Sequence, residues 1–213
     1  MSVPHVFVET NFLFSVFQMP SKRDREALAL RERFEAGGIK LYVPYLCLQE
    51  TRNLIAKSLP PHRCTDLLDF HRYTASQGEV SWSFDEARKL LDAASGEVNR
   101  TKSVYKREID SFALAVGDGL LHGTDEVFDF LETLDLEHDN AQLKFVDAMV
   151  LCCVLVKAKH LRTSGADQLF FASSDEKAFR PSAARPNLSR YYSEASLVFV
   201  SKFVLPEPPP ESP

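Results

Sequence analysis

Long apolar runs are missing from this chain: no stretch reaches the ~20 residues that a bilayer span requires, so a membrane-embedded role is not expected. The N-terminus also lacks a basic stretch followed by an apolar run and a cleavage site, so the chain is expected in the cytoplasm. There is no Gly-rich phosphate loop of the GxGxxG or GxxxxGKS/T kind, which argues against a nucleotide-dependent small-molecule enzyme. Cysteine is scarce, and Cys47, Cys64, Cys152 and Cys153 form no CxxC pair, so buried thiols are expected rather than zinc or disulfides. The six histidines are scattered, and His5, before the first strand, reads as structural or solvated. An excess of positive charge is absent too: the formal charge is −5, so any nucleic-acid contact must come from local basic patches.

What is present is ordinary globular material, 45% apolar and 26% charged over 213 residues, enough for one compact α/β domain or one domain enlarged by an insertion. Pro4-His5-Val6-Phe7-Val8 predicts a first strand. Ser21 to Asp24 has capping-box spacing, and a helix through Phe34 stops at Gly37-Gly38. Ile39 to Val43 predicts a second strand, ended by Pro44 and followed by a helix, and a βαβα start of this kind favours a parallel sheet. From Pro60 to about Leu136 the pattern is helical: one helix over Arg63 to Tyr73, one opening at the Ser83–Glu86 capping box and running towards Asn99, then two around Lys106 to Val116 and Asp125 to Leu134, separated by Gly117, Gly119 and Gly123. Asp139 and Gln142 are spaced to cap a long helix through Leu161. Strands are expected at Leu169–Ala172 and Leu197–Val200, before a Pro-rich tail over 206–213.

Chemistry concentrates in acids. Glu9, Thr10 and Asn11 interrupt an apolar run directly after the first strand, where an open α/β sheet gathers its ligands. Asp147 lies in a helix that is apolar nearly all round, so it is expected to be buried and to need a cation or metal partner. Glu50 sits on the helix after the second strand and reads equally as a solvated residue beside Arg52 and Asn53. Asp175, after Ser173-Ser174, reads equally as a cap of the following turn. A hard divalent cation prefers such oxygen ligands.

In their order and strand context these motifs resemble the PIN-domain family of metal-dependent ribonucleases: Val8-Glu9-Thr10-Asn11, Val43-Pro44 with Glu50, Asp147 on an apolar helix, and Ser173-Ser174-Asp175. The resemblance covers roughly residues 4–58 and 139–200 and departs at the first acid, where the family typically has Asp and this chain has Glu9. It implies a three-layer α/β fold with a central, mostly parallel sheet flanked by helices. Residues 1–205 would form one PIN-like domain with a helical insertion or cap over about 60–136. It implies that Glu9, Glu50, Asp147 and Asp175 hold Mg²⁺ or Mn²⁺, with Thr10, Asn11 and Ser173 orienting the site, and that RNA phosphodiesters are hydrolysed.

RNA must then be gripped by cations near the acids. Arg100, Lys102, Lys106 and Arg107 surround Tyr105, whose ring could stack on a base, although a solvated helix face explains the same run. Arg52, Lys144 and Lys177 lie closer to the acids in sequence, and the acidic stretch from Asp125 to Asp139 suits either a solvated surface or a basic partner. The leading expectation is an endoribonuclease, either the toxin of a toxin–antitoxin pair or an RNA-processing factor. Its candidate partners are RNA, an antitoxin or other protein, and a second copy of the chain. The alternative is a non-catalytic PIN-like scaffold that binds protein or RNA.

Overall fold

The first strand dictates the architecture. In the computed structural model, which describes residues 3–18, 22–58, 84–136 and 143–206, β1 (His5–Val8) is the middle strand of a five-stranded sheet. A strand covered on both faces must be apolar throughout rather than alternating, and Val6, Phe7 and Val8 are fully buried. The sheet is entirely parallel, in the order β3-β2-β1-β4-β5, with β2 at Lys40–Pro44, β3 at Leu120–Leu121, β4 at Leu169–Ser173 and β5 at Leu197–Ser201. Helices flank it, giving the expected α/β class. No helix among the described residues is long and apolar enough to cross a membrane.

The register sets up the site. Val8 of β1 lies opposite Ala172 of β4, so the chain leaves the two strands side by side at Glu9 and Ser173. From β1 the chain proceeds to β2 and β3 on one side of the sheet, whereas β4 and β5 fill the other. The β1–β4 crevice is therefore the point where the winding changes direction, the usual place for a ligand in such a sheet.

Helices α1 (Thr10–Phe17) and α2 (Arg25–Glu35) follow β1, and Asp24 rather than Ser21 caps α2, its carboxylate accepting from the Ala27 N–H at 2.9 Å. Ser21 lies outside the described residues. Gly37, at φ 75°, ends α2 as expected, since the left-handed region is cheap only for glycine. α3 (Tyr45–Ser58) begins directly at the end of β2.

The sequence reading needs correction between residues 84 and 136. The two helices expected around Asn99 and Lys106 are one continuous helix, α4 (Phe84–Val116). The polar residues at the expected break are absorbed by the helix, because Thr101 and Ser103 donate to the Glu97 and Asn99 carbonyls at 2.9 and 3.0 Å. After a 3₁₀ turn at Gly117–Gly119, the break expected between two helices contributes a short strand, β3, paired with the end of β2. α5 (Asp125–Glu132) is capped by Thr124. The helices and caps expected over 60–83 and at Asp139 and Gln142 lie outside the described residues, as does the tail over 207–213.

α6 (Phe145–Thr163) buries nine of its residues, which explains its nearly all-round apolarity. It packs on α5, where His160 Nε2 meets Glu126 Oε1 at 2.9 Å and the Lys159 ammonium lies 4.8 Å from the Phe130 ring centre. A single turn, α7 (Glu176–Phe179), and α8 (Pro186–Glu194), which the sequence reading did not foresee, lead to β5. Two compact units are present, 1–51 with 112–213, and 52–111. The sheet belongs to the first; Arg52 and Asp110 form an ion pair within the second.

Candidate active site

Every candidate acid of the sheet unit starts an element or sits within two turns of a start. Glu9 is the N-cap of α1: one carboxylate oxygen accepts the Asn11 N–H at 2.6 Å, and the other accepts the Ser173 hydroxyl at 3.0 Å across the β1–β4 crevice. Ser173 in turn accepts the Asp175 N–H at 2.9 Å, tying the end of β4 to the end of β1. Glu50 is fixed from the same corner, its carboxylate accepting the Thr10 hydroxyl at 2.6 Å. Asp175 caps α7 through the Ala178 N–H at 2.9 Å, so its capping role is real. Thr10 and Ser173 thus orient two different acids, and Asn11 acts through its backbone rather than its amide.

Asp147 differs from its expected setting. It is half-buried rather than buried, because it lies in the first turn of α6, where the helix dipole favours an anion.

The electrostatics bring the four together. Burial pushes the Glu9 carboxyl up to about 7; the Asn11 and Ser173 hydrogen bonds oppose this, and the negative charges of Asp175 and Glu50 add to it. Asp147 is raised as well, by desolvation first and then by Asp175 and Glu50, with Lys144 acting in the opposite sense. Beneath them Cys47 is fully buried, and desolvation raises its thiol strongly, with Glu9 and Glu50 adding to the effect; it is inert packing. Cys152 and Cys153 are likewise buried free thiols, and Cys64 lies outside the described residues.

Among the described residues none of the four acids has a salt-bridge partner, and no three His, Cys, Asp or Glu side chains are arranged to hold a metal ion. The donor chemistry nonetheless suits a hard cation held by one or two carboxylates, with waters and phosphate oxygens completing its shell. Glu9 and Asp147 are each raised by the negative charges of Glu50 and Asp175, and a cation held among them would favour the ionised forms of both.

The cations fall into two groups. Lys144, immediately before α6, and Lys177, in α7, are exposed and adjoin Asp147 and Asp175 in sequence. Arg52, Arg100, Lys102, Lys106 and Arg107 belong to the second unit. There Arg52 is held by Asp110, Arg100 meets Glu97 at 3.4 Å, and Lys106 and Arg107 are exposed. Tyr105 is only 9% exposed, so the ring expected to stack on a base is a packing residue instead. The exposed rings that sequence reasoning missed are Tyr45 and His122, at the ends of β2 and β3; a two-residue strand gave no pattern from which to foresee their pairing.

In comparison with known proteins, no family model, no curated protein and no solved structure matches the chain.

Proposed function

We propose that the chain is a divalent-metal-dependent endoribonuclease whose site is Glu9, Glu50, Asp147 and Asp175. The observation that carries this reading is the shared electrostatic field of four carboxylates at the switch point of a parallel sheet, with no salt-bridge partner among the described residues to neutralise it. When bound, Mg²⁺ or Mn²⁺ would supply Lewis-acid polarisation of a phosphoryl oxygen and a more acidic water. Asp147, half-buried at a helix start, and Glu50, held by Thr10, are the two carboxylates that would hold it, with Asp175 acting through a bound water. Glu9, locked by Asn11 and Ser173, would set the negative potential behind them. Lys144 and Lys177 would meet the phosphates on either side.

A scaffold without catalysis is the second reading, favoured by one observation: both Glu9 oxygens already serve as hydrogen-bond acceptors within the fold. Cleavage of a mixed single-stranded RNA in Mn²⁺, Mg²⁺ or EDTA, with Asp147→Asn alongside, separates the two. The nuclease reading expects cutting in one or both metals, none in EDTA, and a loss of roughly 10- to 100-fold or more in Asp147→Asn. Clean protein that leaves RNA intact in both metals, with Asp147→Asn altering only stability, gives the scaffold.

A further inference from the structure

The parallel ladder does not stop having consequences where its hydrogen bonds end. Pro44 of β2 lies opposite Leu121 of β3, so the next residues along the two chains, Tyr45 and His122, leave the sheet edge as neighbours. Their rings stack, with centroids 5.2 Å apart and planes 27° from parallel. An aromatic pair is normally core material, as the tilted Phe7–Tyr42 pair is within the same sheet. This one is open: Tyr45 keeps 39% of its surface exposed and His122 is exposed as well.

The pair is also held in place. Gln49 donates to the Tyr45 hydroxyl at 2.6 Å, tying the ring to the turn of α3 that carries Glu50. Glu50 follows Tyr45 by five residues on that helix, about 7.5 Å along its axis. Both rings therefore stand at the carboxyl edge of the sheet, the edge from which Glu9 and Asp175 also depart.

We infer that Tyr45 and His122 form a stacking platform for one unpaired base of the RNA whose backbone reaches the acids, an inference that rests on the ribonuclease reading. Stacking tolerates any base, because every base has a π-face, but it requires a base that is not already stacked within a helix. The platform accordingly selects single-stranded segments or loops over duplex and imposes little sequence preference. It also supplies an attraction that does not depend on charge, which an acidic site approaching a polyanion needs.

The test is a short single-stranded RNA carrying one 2-aminopurine, bound to the full chain in Mn²⁺ and in EDTA, with cleavage of the same RNA followed in parallel. Quenching of the probe on binding is expected in the native protein and in Tyr45→Phe. Tyr45→Ala should lose it, with roughly 5- to 150-fold weaker binding, the range that one base–aromatic stack spans. His122→Ala, at an exposed position outside any helix or strand, should give a similar loss and guards against misfolding of α3 in Tyr45→Ala. In cleavage the change should fall on KM rather than kcat. If the native protein cuts RNA while Tyr45→Ala and His122→Ala bind and quench unchanged, the platform is wrong and the nuclease reading survives. Tyr45-dependent quenching in a protein that never cuts keeps the platform and removes the nuclease. Neither quenching nor cutting by the native protein overturns both.

Discussion

Glu9 carries two duties that pull in opposite directions. As the cap of α1 and the acceptor for Ser173 it secures the β1–β4 crevice, yet at 4% exposure its ionised form is costly. Its carboxyl is raised from 4.5 to about 7, so the native state holds this proton more tightly than the unfolded chain does. The stabilisation from Glu9 is therefore complete below about pH 4.5 and disappears as the pH rises through about 7, a change on the order of 3 kcal/mol. Gln keeps an acceptor for Asn11 and cannot ionise. Glu9→Gln should then match the native protein in urea unfolding near pH 4 and exceed it at pH 8 in EDTA, while RNA cleavage falls. Adding Mn²⁺ at pH 8 should stabilise the native protein more than Glu9→Gln, because the variant lacks the negative charge behind the ion. Equal stability of the two proteins across the pH series would show that the carboxylate is not under the strain described.

Among the elements, β3 is the least expected and depends on one glycine. A Cβ on Gly119 would lie 2.1 Å from the Leu41 carbonyl oxygen, a backbone atom that cannot swing aside. Gly119→Ala should therefore cost about 2 kcal/mol or more in urea unfolding, whereas Gly96→Ala, where a Cβ meets nothing within 4 Å, should be neutral or stabilising in α4. The contrast explains what the sequence could and could not tell. Strands β1, β2, β4 and β5 are readable because each is a short, mainly apolar run bounded by polar or turn residues, and the acids are readable because they break or end such runs. Two leucines make no such run, so β3 is hidden in the glycine-marked break between two helices. The cap of α2 was misplaced by three residues because Ser21 and Asp24 are both good caps and only tertiary packing chooses between them. Tyr105 was misjudged for a related reason: a ring among cations looks solvated in sequence, and its burial depends on contacts that sequence spacing does not reveal.

For the whole molecule the difficulty is charge. On the ribonuclease reading, a chain with formal charge −5 whose site holds four acids must rely on a few local cations, so its affinity for RNA should be modest and its salt dependence shallow. For single strands, each phosphate contact adds about 0.7 to the slope of log affinity against log salt. Lys144 and Lys177 are exposed beside Asp147 and Asp175 in sequence, so Lys144→Gln and Lys177→Gln should each lower that slope by about 0.7 in an anisotropy titration of a short RNA. Arg52 is already paired with Asp110, so Arg52→Gln should leave the slope unchanged and cost at most about 1 kcal/mol of stability, because the half-exposed Asp110 is solvated without its cation. The Tyr45–His122 stack predicts the complementary signature. Tyr45→Ala should lower affinity by the same factor at every salt concentration, since stacking releases no counterions, and the slope should not move. A slope that fell in Tyr45→Ala, or stayed fixed in both lysine variants, would mean that RNA crosses this protein along a different face.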